Sequence, residues 1–67
     1  MMIEFHELMK KKRTEKGLSQ TKLAQLIGVD QSAVNHIEQG RRHPSFELLL
    51  KICEVLEIPL FGDNEND

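Results

Sequence analysis

Apolar residues recur along this chain at helical spacing, in short runs that glycine and proline interrupt. Phe5, Leu8 and Met9 share a face before charged residues take over. This predicts a first helix from about Ile3 to Lys16, stopped at Gly17, where a positive φ is cheap. Ser19 stands as the N-cap of a second helix, in which Leu23, Ala24 and Ile27 lie on one side, and Gly28 ends it. Asp30 caps a third helix with Val34 and Ile37 facing inward and Glu38 beside them, as far as Gly40. After Arg41, Arg42, His43 and Pro44, Ser45 caps a fourth helix. Its Leu49, Ile52, Cys53 and Leu56 form a stripe at i, i+3, i+4 and i+7. Pro59 opens a last short turn with Leu60 and Phe61, and the GDNEND that follows has no apolar residue to bury and is expected to be disordered. The pattern therefore predicts one all-α domain over residues 1–62 and an acidic tail over 63–67, with no repeat and no competing strand.

The spacing between the second and third helices carries the first functional signal. They join through Gly28 and Val29, a connection of the kind that sets two helices roughly 90 to 120° apart. With Val34 and Ile37 turned inward, a helix of about 100° per residue turns Ser32, Asn35, His36 and Gln39 outward, and Gln31 sits at its exposed N-terminal end. All five form hydrogen bonds, and none is a lysine or glutamate, the residues on which ordinary solvated faces rely. A solvated polar face is the plain alternative. Amides, a hydroxyl and an imidazole on one projecting face are also the groups that read the edges of DNA bases. Gln20 lies in the first turn of the second helix, where unpaired N–H groups favour an anion, and Arg41 and Arg42 follow directly after the third. This placement suits contacts to a sugar-phosphate backbone, although each arginine can equally be an ordinary surface residue. Lys10, Lys11 and Lys12 read more simply as the solvated face of the first helix.

Composition narrows the classes. The 67 residues contain no Trp or Tyr and three Phe, so aliphatic side chains must fill a small core. The run Phe46 to Leu50 is far shorter than the ~20 apolar residues of a membrane span, and the N-terminal residues carry acids where a signal peptide carries bases. The chain is thus expected to be soluble and cytoplasmic. Cys53 is the single cysteine, which excludes an internal disulfide and a structural zinc site and fits a small buried side chain. The net charge is −2, yet residues 1–62 hold nine bases and eight acids, and Asp63, Glu65 and Asp67 reverse the sign. Residues 10–42 hold eight bases against three acids. Attraction to phosphate depends on the field within a Debye length of about 8 to 10 Å, so this segregation permits DNA binding by a chain acidic overall. Catalysis is not supported. His6-Glu7 begins like a zinc-protease helix, but Lys10 stands where the second histidine is needed, and no nucleophile, base or metal constellation or phosphate loop is present. No cofactor or metal is expected, and His6 and His43 read as surface or linker residues.

Taken as a string, Leu18-Ser19-Gln20, Leu23-Ala24, Gly28, Ile37-Glu38, Gly40, Arg41-Arg42 and Pro44 resemble the Cro and phage-repressor type of helix-turn-helix domain, the XRE family, over about Phe5 to Phe61. The resemblance implies a compact five-helix, lambda-repressor-like domain that binds double-stranded operator DNA as a homodimer, with helix three in the major groove, and regulates transcription as a repressor. By position, Gln31, Ser32, Asn35 and His36 would face bases, while Gln20, Gln39, Arg41 and Arg42 would approach phosphates. The resemblance also implies a structural ion pair between Arg13, late in helix one, and Glu38; read without it, Glu38 beside buried Ile37 still calls for a cation. Two departures stand out. Glu57 occupies the end of helix four, where the family commonly has glycine or asparagine, so the turn before Ile58 is expected to be strained or differently shaped. The chain also stops soon after Phe61, and the expected dimer surface is Val55, Ile58, Leu60 and Phe61, because these apolar residues exceed what so small a core can cover. The alternative function for this fold is that of an antitoxin or protein-interaction module acting through a protein partner of unknown identity.

Overall fold

Three of the helix starts are set by one short polar residue each. The computed structural model describes residues 4–59, which form α1 (Phe5–Glu15), α2 (Gln20–Ile27), α3 (Gln31–Glu38) and α4 (Phe46–Leu56). The Ser19 hydroxyl accepts from the Lys22 N–H, the Asp30 carboxylate from that of Ala33 and the Ser45 hydroxyl from that of Leu48. Each bond satisfies a donor that the first helical turn would leave unpaired. Glu4, ahead of α1, makes no such side-chain bond.

The helix ends share a reversal. After α1 the N–H groups of Gly17 and Leu18 return to the carbonyls of Thr14 and Arg13, and after α3 those of Gly40 and Arg41 return to Ile37 and His36. In both, glycine takes the left-handed position. α4 closes the same way through Glu57 and Ile58, but here a glutamate holds φ 58°, the only non-glycine residue with positive φ among those described. The expected departure at Glu57 is thus left-handed backbone bearing a Cβ.

The reversal at Glu57 also explains one correction. Ile58, expected on a dimer surface, is 7% exposed and belongs to the core, because the turn directs the residue after the left-handed position back onto the helix it ends. The core joins Met9 of α1, Leu23, Ala24 and Ile27 of α2, Val34 and Ile37 of α3, Ile52, Cys53 and Leu56 of α4, and Ile58. The expected stripes supply nearly all of it. Val55 is half-buried and packs against this core. The described residues form four helices rather than the expected five. The remainder of the fifth segment, including Leu60 and Phe61, lies outside the described residues, as does the tail 63–67. No described helix is long and apolar enough to cross a membrane.

Candidate nucleic-acid interface

The buried end of the site is an ion pair. Arg13 donates from Nε to Glu38 Oε2 at 2.7 Å and from its second terminal nitrogen to Glu38 Oε1 at 3.1 Å, while Nη1 reaches the Leu18 carbonyl at 2.7 Å. The two side chains are 10% and 2% exposed, so the bidentate geometry is held away from water. The structure thus brings together the two residues that the resemblance paired, and ties α1 to the end of α3.

From this pair a chain of amides leads outward. Gln20, the first residue of α2, donates from Nε2 to Glu38 Oε1 at 3.1 Å and to Asn35 Oδ1 at 3.3 Å. Its Oε1 accepts from Gln31 Nε2 at 2.6 Å, and Gln39 Nε2 donates to Asn35 Oδ1 at 3.2 Å. Gln20 is half-buried among these partners rather than free in solvent. Sequence reasoning assigned Gln20 toward phosphate and missed this bridging position, because the partners lie 11, 15 and 18 residues away and no local pattern reports them.

On α3, Gln31, Ser32 and His36 are exposed, Asn35 is half-buried, and Gln39 is exposed just beyond the helix. The Ser32 hydroxyl donates to Asp30 Oδ1 at 3.1 Å. Asp30 is held below the ordinary carboxylate value, first by the Ala33 N–H bond, then by Ser32, and more weakly by the charges of Arg42 and His36. Arg41 and Arg42 are both exposed in the loop between α3 and α4. That loop is braced by His6: its imidazole lies so close over Gly40 that an added Cβ would sit 3.2 Å from the ring. The described residues hold no cluster of three potential metal ligands. Burial pushes the Cys53 thiol up, which favours its protonated form. The large apolar side chains exposed among the described residues are Leu26, Phe46 and Leu50, none of them in the expected dimer set.

A two-helix unit with a polar outward face, tied at its base to a buried ion pair and flanked by arginines, defines a helix-turn-helix domain. The helix-turn-helix family model matches residues 9–62, and the chain belongs to that family. It is 34% identical over 56 residues to the uncharacterized HTH-type transcriptional regulator YqaE of Bacillus subtilis, covering 84% of this chain and 48% of that protein. The chain spans about half the length of three of the curated relatives it matches, 48 to 59% of each. Among solved structures it is similar to the restriction-modification controller protein C.AhdI from Aeromonas hydrophila, with 42% identity, a TM-score of 0.76 and coverage of 82% of this chain and 83% of that one. The P22 c2 repressor, solved with a synthetic operator, shares the fold at 23% identity and a TM-score of 0.80, covering 84% of this chain and 85% of that chain.

Proposed function

We propose that this chain is a sequence-specific DNA-binding regulator that acts in the cytoplasm, by binding alone and without a catalysed step. α3 enters the major groove of operator DNA, where Gln31, Ser32, Asn35 and His36 meet base edges. Gln39, Arg41 and Arg42 contact the flanking backbone, and Gln20 contributes from the start of α2. The observation that carries this reading is the outward face of α3, made wholly of hydrogen-bonding groups and fixed from beneath through Gln20. The similarity to a restriction-modification controller protein supports the same assignment. Two copies bind adjacent half-sites about 34 to 36 Å apart, or a multiple of that spacing, as the symmetry of such operators requires.

The test is a salt titration on a duplex selected from random sequence. Specific affinity falls steeply with ionic strength, and each phosphate contact adds about −0.9 to the log–log slope. Replacing Arg41 and Arg42 by alanine reduces that slope by about two contacts' worth while the selected sequence stays the same. An unchanged slope in the double variant removes both arginines from the backbone contact, and failure to enrich any sequence removes the function.

A further inference from the structure

The amide chain on α3 has a direction, and the direction is set by chemistry. Glu38, paired with Arg13, offers only acceptors. The Gln20 atom 3.1 Å from Glu38 Oε1 is therefore the amide nitrogen. That nitrogen lies 3.3 Å from the Asn35 side chain, so the Asn35 atom facing it is the oxygen, and the Gln39 atom 3.2 Å from the same oxygen is again a nitrogen. On the other side the Gln20 oxygen faces Gln31, which must turn a nitrogen toward it at 2.6 Å. One buried carboxylate thus orients four amides. Asn35 Oδ1 accepts twice and has both lone pairs engaged, whereas its amino group has no hydrogen-bond partner among the described residues.

We infer that Glu38 is a specificity-determining residue that acts through Gln20. It makes Asn35 a reader that only donates, so the base opposite Asn35 is preferentially guanine, whose N7 and O6 both accept, or thymine, whose O4 accepts, ahead of adenine, which offers N7 alone. An unconstrained asparagine would favour adenine, accepting from N6 while donating to N7. Here the cytosine amino group would meet the Asn35 amino group, donor against donor, while adenine would keep only its N7 contact and leave its N6 amino group without an acceptor. This inference rests on the proposed base-reading role of α3, and Glu38 is a positioning residue within it.

The experiment selects binding sites from random duplex DNA with three proteins: wild type, Asn35→Ala and Gln20→Leu. The last cuts the chain of amides but leaves the three bonds of Arg13 in place, and circular dichroism checks that all three proteins remain folded. The position whose preference disappears in Asn35→Ala is expected to hold guanine or thymine in the wild type. Adenine at that position should bind about 10-fold more weakly, the discrimination expected of one good base contact. In Gln20→Leu the ratio is expected to fall toward unity, because the Asn35 amide is then free to turn over. Adenine preferred by the wild type at the Asn35-dependent position would overturn the inference, as would a ratio unchanged in Gln20→Leu. If Asn35→Ala altered no position at all, the base-reading assignment of Asn35 would fail first and carry the inference with it. The first two outcomes retain an Asn35-dependent position and the third does not, so the two failures are distinguishable.

Discussion

Truncating Arg13 to alanine removes three hydrogen bonds at once and leaves Glu38, whose side chain is 2% exposed, without its cation. Among the described residues, the one remaining donor to that carboxylate is the neutral amide of Gln20. Water does not reach Glu38 to replace the guanidinium, so the penalty is that of an uncompensated buried charge, about 3 to 5 kcal/mol. A domain of 67 residues has a total stability on the order of 3 to 10 kcal/mol, at roughly 0.05 to 0.15 kcal/mol per residue. Arg13→Ala therefore removes about 30% or more of it, and at about 4 to 8 °C per kcal/mol the melting temperature drops by at least ~12 °C. Thermal denaturation followed by far-ultraviolet circular dichroism measures this directly. Replacing both partners together, Arg13→Met with Glu38→Leu, recovers much of the loss, because the stranded charge goes with its partner. A drop of only a few degrees in Arg13→Ala would refute the reasoning, since the carboxylate would then be finding solvent or another cation.

Glu57→Gly relieves the left-handed backbone at the end of α4 and raises stability by about 1 kcal/mol in chemical denaturation, less the extra freedom glycine gives the unfolded chain. The Lys16–Glu57 pair lost with it, at 3.4 Å and largely exposed, contributes little, so a decrease in stability would contradict this account. Gly28→Ala and Gly40→Ala each incur the cost of positive φ, about 1 kcal/mol or more, but only the second also forces a Cβ against the His6 ring. Gly40→Ala is therefore the more damaging in urea melts, and a His6→Ala background closes the gap between them. Asp30 has a folded pKa below its unfolded value, so its contribution is present above the unfolded value of about 3.9 and is lost as pH falls through the lower folded value. Asp30→Asn, which retains a capping oxygen, flattens that part of the stability–pH curve, and an unaltered acid limb would show that other carboxylates produce it.

The helices and their caps were legible because each is specified within a few residues. Ser19, Asp30 and Ser45 precede apolar periodicity, and Gly17, Gly28 and Gly40 follow it. The outward set on α3 followed from the same periodicity once Val34 and Ile37 were turned inward. Ile58 was misread because its apolar character fits a surface patch and a core equally well. The reversal at Glu57 decides between them, and that is a backbone conformation rather than a pattern. The bonds of Gln20 to Gln31, Asn35 and Glu38 depend on how α2 crosses α3, which no spacing along the chain encodes. For the same reason the contact between His6 and Gly40 escaped a reading that left His6 on the surface.

The central claim is that the outward face of α3 reads DNA sequence. The most direct measurement compares wild type with the triple variant Gln31→Ala, Asn35→Ala, His36→Ala on the selected operator and on a scrambled duplex, with helicity monitored by circular dichroism. All three positions are exposed or half-buried and lie outside the apolar core, so the variant is expected to keep its helical content. The account predicts that it loses operator binding down to the level of the scrambled duplex. Operator affinity that survives in a folded triple variant would contradict it.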